Sequence, residues 1–210
     1  MAPASTRYII DNFLVLEGLD GSGTTTQAAR LASRLQTTGA PVLLTAEPTD
    51  GVIGRMIRDA LHHRISLHPD TMAMLFAADR NEHVFSTDGI REQSRAGWVV
   101  SDRYLFSSLA YQSISSDPSL VYELNARFPL PELLIYLDVD PDECARRRAE
   151  RGGEELYDAM ETQRRVHANY RRILAEFSGQ TGMRILEING SRPVDEIAQC
   201  IWSEGGFAPI

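Results

Sequence analysis

The sequence is short of cysteine and has no long apolar run, and these two deficits exclude whole classes of protein. It has only 2 cysteines in 210 residues, Cys144 and Cys200, too few for a disulfide framework. No segment approaches the roughly 18 apolar residues that a membrane-spanning helix needs. The apolar stretch 8–16 is interrupted at Asp11 and Asn12. We therefore expect a cytoplasmic protein with no signal peptide and no membrane partner.

Positive charge is also in deficit, since the formal net charge is −8 and the pI is about 5.1. Nucleic-acid backbones require a basic surface, so this balance argues against a nucleic-acid partner. A few converging arginines are still enough to bind one phosphate group. Hydrophobic residues make up 43% and charged residues 24%, close to the usual shares in globular proteins. We expect a single domain over residues 1–210.

Short apolar runs alternate with helical patterns along the chain. The predicted strands are 13–17, 41–46, 98–101, 133–137 and 184–188. The predicted helices are 24–38, 53–61, 141–151, 157–177 and 193–202, with a further long helix capped by Asp70. Continuous apolar strands separated by helices are typical of a parallel sheet covered on both faces. The pattern predicts a three-layer α/β/α fold around a five-stranded parallel sheet, with ligands at the carboxyl ends of the strands.

A glycine-rich segment follows the first predicted strand and opens the first predicted helix. Residues 18–25, GLDGSGTT, fit the phosphate-loop pattern G-x-x-x-x-G-K-[ST] at every position but one. Glycines let successive N–H groups turn toward phosphate oxygens, and the helix N-terminus adds its positive dipole end. A glycine-rich turn without a ligand is the alternative. We predict a phosphate-binding loop made by Gly18, Asp20, Gly21, Ser22, Gly23, Thr24, Thr25 and Thr26.

The mismatch is Thr24, which stands where the pattern has lysine. An ammonium group 4 Å from a phosphate oxygen contributes about 4 kcal/mol at an effective dielectric constant of about 20. Losing that contribution in the transition state alone lowers a rate by about a thousandfold. Three interpretations stay open: another cation substitutes, the enzyme is slow, or the chain binds nucleotides without catalysis.

The third predicted strand ends in Asp102 and Arg103. An acidic residue at this point is typical of a Walker B strand, which holds Mg²⁺ together with the hydroxyl of the phosphate loop. We therefore predict Thr25 and Asp102 as metal ligands. Arg103 carries a guanidinium fork suited to a phosphate group. A surface ion pair at a strand end is the alternative interpretation.

The six residues Arg146–Arg151 include four arginines, and two glycines follow them. We predict a mobile cationic lid over approximately residues 146–157, which closes on the transferring phosphoryl group and neutralises its charge. A solvated helix face paired with neighbouring acidic residues is the alternative. We favour the lid because the phosphate loop has no cation of its own.

Phe76 and Arg80 lie four residues apart on one predicted helix and therefore share a face. An aromatic ring beside a guanidinium group suits a nucleobase, by stacking and by hydrogen bonds to carbonyl oxygens. The spacing by itself favours the simpler interpretation, a core phenylalanine beside a surface arginine.

Five segments, in order and at compatible spacing, together resemble the thymidylate kinase family. They cover most of the chain: 17–23, 47–49 with 57–58, 75–80, 102–104 with 107–112, and 137–139 with Arg147 and Arg151. The resemblance implies phosphoryl transfer from ATP to dTMP with Mg²⁺, in a homodimer. It is far more specific than any one of the motifs.

The resemblance also implies roles for individual residues. Phe76 would stack on thymine, and Arg80 would bind its carbonyl. The dTMP site would further include Glu47, Pro48, Arg58, Arg103, Ser107, Ser108, Tyr111 and Gln112. Arg58 and Arg103 would hold the phosphate, and Tyr111 would lie under the deoxyribose. The catalytic residues would be Asp20, Arg103 and Arg151, with Arg147 on the ATP.

Some positions depart from the family pattern, and others indicate which of two forms of the family the chain resembles. In one form the catalytic arginine lies in the phosphate loop, and in the other it lies in the lid. Ala46 stands where many members have arginine, in addition to Thr24 in place of lysine. Gly21 occupies the position at which one form of the family has a catalytic arginine, and Arg151 fits the form with that arginine in the lid. Two other functions stay open: an impaired nucleotide-binding protein, and a kinase for another pyrimidine monophosphate such as dUMP. The guanine-binding segment Asn-Lys-x-Asp is absent, which argues against a GTPase.

Overall fold

A computed structural model describes residues 7–150 and 156–207. In this part of the chain five strands form one parallel sheet in the order β2-β3-β1-β4-β5. The strands are β1 Ile9–Gly18, β2 Val42–Ala46, β3 Trp98–Asp102, β4 Leu130–Asp138 and β5 Arg184–Asn189. The helices are α1 Thr24–Gln36, α2 Val52–Leu61, α3 Pro69–Phe85, α4 Ile90–Ala96, α5 Leu105–Tyr111, α6 Pro118–Asn125, α7 Pro141–Ala149, α8 Met160–Phe177 and α9 Val194–Glu204, with a 3-10 turn at Gln112–Ile114.

The sheet order explains why the central strands are apolar along their length. Strand β1 is hydrogen-bonded on both sides, with Leu14 opposite Val100 of β3 and Leu133 of β4. Helices cover both faces of these strands, so neither face is left for polar side chains. The predicted five-stranded parallel sheet and the α/β class are confirmed.

Two apolar cores lie on opposite faces of the sheet and make the fold three-layered. One face packs against α1 and α9 through Ala28, Leu31, Leu35, Ile197, Ile201 and Trp202. The other packs mainly against α5 and α8 through Leu105, Phe106, Leu109, Val166, Tyr170 and Ile173. A smaller cluster joins α2 to α3 through Ile57, Ala60, Met72 and Phe76. These two helices form the outer wall of the cleft described below.

Several element boundaries differ from the prediction. His68, not Asp70, caps α3, because Pro69 occupies the first helical turn and holds the preceding residue in extended conformation. The His68 Nδ1 accepts the Asp70 N–H at 3.2 Å. Helix α8 begins at Met160, so Tyr157 lies in the turn before it. Helices α4 and α6 were not predicted; each has at most eight residues, too few for a clear period.

The fold brings polar segments together at one edge of the sheet. The carboxyl ends of β1, β2 and β3 run directly into the glycine-rich loop, the Glu47-Pro48 segment and Arg103. Parallel strands place such ends side by side, as expected for ligand sites in this architecture. In the described ranges no helix is long and apolar enough to cross a membrane.

Candidate active site

The glycine-rich loop has the backbone shape of a phosphate cradle. Gly21 and Gly23 have φ angles of 91° and 100°, which lie in the left-handed region that glycine adopts without strain. Ser22 donates its N–H to the Leu19 carbonyl at 3.0 Å, which closes a tight turn, and α1 begins at Thr24. The N–H groups of the first helical turn therefore face the concave side of the loop, where an anion binds.

Helix α7 packs so closely on this loop that Gly21 has no room for a side chain. A Cβ atom there would lie 2.7 Å from the Cys144 carbonyl oxygen. The arginine that one form of the family carries at this position would collide with main chain of α7. The geometry thus agrees with a cation arriving from another segment.

Thr25 and Asp102 meet where the predicted metal site lies. The Thr25 hydroxyl donates to Asp102 Oδ2 at 2.5 Å. Asp102 Oδ1 is buried and has no hydrogen-bond partner among the residues described. No cluster of three metal-binding side chains occurs in those residues. Mg²⁺ fits this arrangement, because it is usually bound by one or two carboxylates together with substrate phosphates and water.

Arg103 projects from the end of β3 into the cleft. Its φ angle of 72° is unusual for a residue other than glycine. Its Nη2 donates to Asp20 Oδ1 at 2.6 Å, and its Nη1 donates to the Gly18 carbonyl at 3.1 Å and to Ser107 Oγ at 3.0 Å. These contacts orient the guanidinium between the phosphate loop and the second pocket, next to Asp20.

Glu17, the residue before the loop, is a fully buried carboxylate. It accepts the N–H groups of Tyr104 and Ser107 and the hydroxyls of Ser107 and Tyr170, at 2.6–3.1 Å. Burial raises its pKa to about 7, although Arg103 and the hydrogen bonds from the Ser107 and Tyr170 hydroxyls and the Tyr104 N–H oppose that rise. Glu17 thereby connects β1, α5 and α8 directly behind Arg103.

We expect Glu17→Gln to change the pH dependence of stability. The folded-state pKa lies above the unfolded value, so a bound proton stabilises the folded chain at low pH, and that stability is lost as the pH rises toward 7. The free energy of unfolding of the wild type, relative to Glu17→Gln, should therefore fall by about 2 kcal/mol between pH 5 and pH 8. Urea unfolding at both pH values measures this. A constant difference between the two proteins would show an ordinary pKa for Glu17.

Arg80 lies buried under the second pocket, where nearly all its donors are already used. Its Nε and Nη2 contact Glu47 Oε2 at 2.9 and 2.6 Å, Nη2 also donates to Ser108 Oγ at 2.9 Å, and Nη1 donates to Asn125. Of its five N–H groups, one on Nη1 is left for a ligand. His83 contacts the other oxygen of Glu47 at 3.0 Å.

Arg58 reaches from α2 to the segment that follows β2. It donates to the Pro48 and Thr49 carbonyls and to Asp50, each at 2.7 Å. Thr49 is held in turn by Asp79 of α3, through its N–H at 2.7 Å and its hydroxyl at 2.6 Å. This segment is therefore fixed from two helices, and Arg58 lies at the boundary between it and the pocket.

One cavity brings most of the predicted substrate residues together. Its lining includes Asp20, Glu47, Pro48, Arg58, Phe76, Arg80, Arg103, Ser107, Tyr111 and Gln112. Ser108 is the exception, since it lies buried behind the wall and supports Arg80. Whether these residues bind substrate stays a prediction. Because Phe76 and Arg80 both line this cavity, the simpler interpretation of a core phenylalanine beside a surface arginine does not account for their positions.

Tyr157 and Arg148 also belong to this region and were not singled out from the sequence. Tyr157 lines the cavity, with its ring edge-on to Tyr111 at 5.4 Å between centroids. The neighbouring Leu156 donates its N–H to the Leu61 carbonyl at 3.0 Å, which brings this segment to the end of α2. Arg148 binds the Asp20 carbonyl. The arginine run was the available signal for Arg148; nothing local marks Tyr157.

The predicted lid lies partly in helix α7 and partly outside the described residues. Arg146 and Arg147 belong to the last turns of α7, where Glu143 pairs with both. Arg147 also donates to the Gly190 carbonyl at 3.1 Å, beside the phosphate loop. Arg151, the predicted catalytic arginine of the lid, lies outside the described residues.

The phosphate loop opens a helix and faces a pocket that is lined by arginine and aromatic side chains. The Asp-Arg pair at the end of β3 lies between the two. These features together define a P-loop nucleoside monophosphate kinase. The sequence model of the family "Thymidylate kinase" matches residues 16–201. The chain belongs to the thymidylate kinase family.

Individual relatives agree with this assignment over nearly the whole chain. A protein of Treponema pallidum named as a thymidylate kinase is 37% identical over 196 residues, covering 92% of this chain and 94% of its own length. One from Pyrococcus abyssi is 40% identical over 198 residues, covering 90% and 93%. One from Methanococcus maripaludis is 36% identical over 193 residues, covering 90% and 92%.

Proposed function

We propose that this protein transfers the terminal phosphoryl group of ATP to dTMP and releases dTDP and ADP. Family membership supports this reaction, and the pocket chemistry supports thymine as the base. The two sites lie on either side of Asp20 and Arg103, as a direct transfer between two nucleotides requires.

The observation that carries the choice of base is an unsatisfied acceptor in the pocket. Gln112 Oε1 is buried and has no hydrogen-bond partner in the described part of the chain, and Gln112 lines the cavity. Buried polar atoms of this kind normally have a partner, so this one calls for a ligand that donates. Thymine offers its N3–H between two carbonyl oxygens. The remaining N–H of Arg80 matches one of those carbonyls.

The ring of Phe76 and the ring of Tyr111 supply apolar contact for the nucleoside. Both side chains are mostly buried and both line the cavity. Phe76 belongs to the apolar cluster of α2 and α3, so its ring presents a rigid face on which a pyrimidine stacks. The Tyr111 hydroxyl accepts the Asp20 N–H at 3.1 Å, which fixes the ring beside the phosphate loop.

The acceptor phosphate of dTMP is placed by the cationic side of the cleft. Arg103 holds Asp20 on one side and faces the cavity on the other, and Arg58 lies across from it. A phosphate oxygen of dTMP is already anionic near neutral pH, so the reaction needs no strong general base. Alignment of the two nucleotides and compensation of their charge are therefore the main tasks of these residues.

The donor nucleotide is assigned to the phosphate loop and α1. Main-chain N–H groups at Gly21, Gly23, Thr24 and Thr25 face the phosphates, and Arg147 lies beside the loop. Thr25 and Asp102 would hold Mg²⁺, which when bound neutralises charge on the ATP phosphates. Arg151 completes the proposed catalytic set with Asp20 and Arg103.

A coupled assay of ADP formation, with dTDP identified by chromatography, tests the proposal directly. We expect turnover with dTMP and Mg²⁺-ATP, and slower turnover with dUMP, because dUMP lacks the 5-methyl group that adds apolar contact in the pocket. Faster turnover with another monophosphate would reassign the substrate. Binding of ATP and dTMP by calorimetry without ADP formation would identify a nucleotide-binding protein instead.

We expect Gln112→Leu to lower kcat/KM for dTMP by about 10- to 100-fold. Leucine has a similar size but leaves the thymine N3–H without an acceptor inside the pocket, which costs about 1–3 kcal/mol. Steady-state kinetics with varied dTMP measures the loss. Gln93→Leu, on α4 and away from the cavity, serves as the matched control. Equal kinetics for both variants would remove Gln112 from base recognition.

We further propose a cytoplasmic homodimer, in line with its substrates and with the family resemblance. Helices α2 and α3 expose apolar side chains, with Val52 exposed by 72%, Met74 by 50% and Met56 by 45%. Exposed apolar side chains on two adjacent helices are suited to association with a second copy. Sedimentation of the purified chain distinguishes monomer from dimer.

A further inference from the structure

The chain contains no lysine, because all 21 of its Lys and Arg residues are arginine. No lysine elsewhere in the chain can therefore supply the positive charge that is missing at Thr24. Positive charge for the ATP phosphates has to come from guanidinium groups, main-chain dipoles or the metal ion. This narrows the search to the arginines that touch the phosphate loop.

Among the described residues, Arg148 of α7 makes the shortest arginine contact with a main-chain atom of the loop. Its Nη1 donates to the Asp20 carbonyl oxygen at 2.6 Å. Its aliphatic stem packs on the loop, since Cγ lies 3.2 Å from where a Cβ of Gly21 would be. The side chain is only 15% exposed. By comparison, Arg147 reaches the Ser22 carbonyl at 3.5 Å, a long contact.

Arg148 also joins the two ends of the segment that contains Arg151. Its Nε pairs with Asp158 Oδ1 at 3.0 Å, and Asp158 is itself mostly buried. Arg148 precedes residues 151–155 in the chain, and Asp158 follows them. One guanidinium therefore links the phosphate loop to the end of α7 and to Asp158, which precedes α8.

We propose that Arg148 takes over the role of the missing lysine as a positioning residue that acts through the Asp20–Gly21 peptide. A guanidinium on the carbonyl oxygen polarises the peptide, and its N–H, that of Gly21, then carries more positive charge. Within residues 7–150 and 156–207 no protein acceptor takes that N–H. It is available to a phosphate of ATP. The inference rests on the proposed function, because it concerns the same reaction.

The charge at position 148 is tested by a graded series. Arg148→Lys keeps the charge, and Arg148→Gln keeps much of the stem without it. We expect Arg148→Gln to lower kcat/KM for ATP by about 50-fold, largely in kcat, and Arg148→Lys to stay within about tenfold of the wild type. Arg164→Gln, an exposed arginine on α8, should leave the kinetics unchanged. Melting temperatures report whether each variant folds.

A second arm separates charge from architecture. Thr24→Lys places an ammonium in the loop itself, so adding it to Arg148→Gln should raise kcat/KM for ATP at least tenfold. Equal losses in Arg148→Lys and Arg148→Gln, or no recovery with Thr24→Lys, would overturn the charge role. Wild-type kinetics in Arg148→Gln would overturn any role.

Failure of the proposed function gives a different result from failure of this inference. If the wild-type chain does not phosphorylate dTMP, the proposed reaction is wrong. ATP affinities of the same variants, measured by calorimetry without dTMP, still decide whether the charge of Arg148 acts on the bound phosphates.

Discussion

Replacing Arg103 by methionine will lower kcat/KM for dTMP by about a thousandfold. A guanidinium about 4 Å from a phosphate oxygen contributes about 4 kcal/mol at an effective dielectric constant of about 20, and that energy corresponds to three orders of magnitude in rate. Methionine fills a similar volume but cannot bind Asp20, Gly18 or Ser107. Steady-state kinetics with varied dTMP at saturating Mg²⁺-ATP measures the loss.

The fold should survive this change. Asp20, the partner of Arg103, has a third of its side chain exposed, so water can solvate its charge once the guanidinium is gone. Arg95→Met removes an arginine that is 69% exposed and lies on α4, and it should keep wild-type kinetics. A loss of less than tenfold in Arg103→Met would remove Arg103 from the acceptor site, provided that the melting temperature is unchanged.

Replacing Arg80 by methionine will lower both stability and dTMP affinity. The change leaves Glu47 buried, at 3% exposure, with His83 as its remaining partner. Breaking a buried ion pair in this way costs about 3–5 kcal/mol, because the Glu47 carboxylate stays in the interior without its guanidinium partner. The free energy of unfolding from urea titration measures the first effect. Calorimetry with dTMP, below the melting temperature, measures the second.

A double variant separates the two roles of Arg80. In Arg80→Met with Glu47→Gln no uncompensated carboxylate is left, so we expect about half of the lost stability to return. The dTMP affinity should stay low, because the N–H that we propose to bind the base is still absent. Recovery of dTMP affinity together with stability would mean that Arg80 only supports the pocket wall and makes no contact with the base.

These experiments decide whether the chain, with Thr24 in place of the lysine, is an active kinase or a protein that has lost catalysis. The cleft keeps its acceptor arginines, and its carboxylates have partners or a position suited to Mg²⁺. An abandoned active site has no reason to retain Arg103 in a left-handed conformation, which carries a cost of about 1–3 kcal/mol. The missing lysine therefore points to a different distribution of charge rather than to lost catalysis.

Local patterns located the strands well and marked the glycine-rich turn between the first strand and the first helix. Apolar runs and the glycine spacing of residues 18–25 depend on near neighbours in the chain, so the sequence shows them directly. Short helices such as α4 and α6 were missed, because seven or eight residues give about two turns and no reliable period. The predicted N-cap of α3, Asp70, is two residues too late. Pro69 starts the helix and holds His68 in the extended conformation of an N-cap residue.

The sequence by itself determined the α/β class, the phosphate loop and the family, because each follows from residue types at fixed spacing. Only the tertiary structure decided that four of the five N–H groups of Arg80 have partners, that Glu17 is buried behind Arg103, and that Arg148 lies against the loop. Each of these depends on which segments, 28 to 153 positions apart in the chain, share one buried space. Burial sets pKa values and uses up hydrogen-bond donors, and no local pattern of residues encodes it.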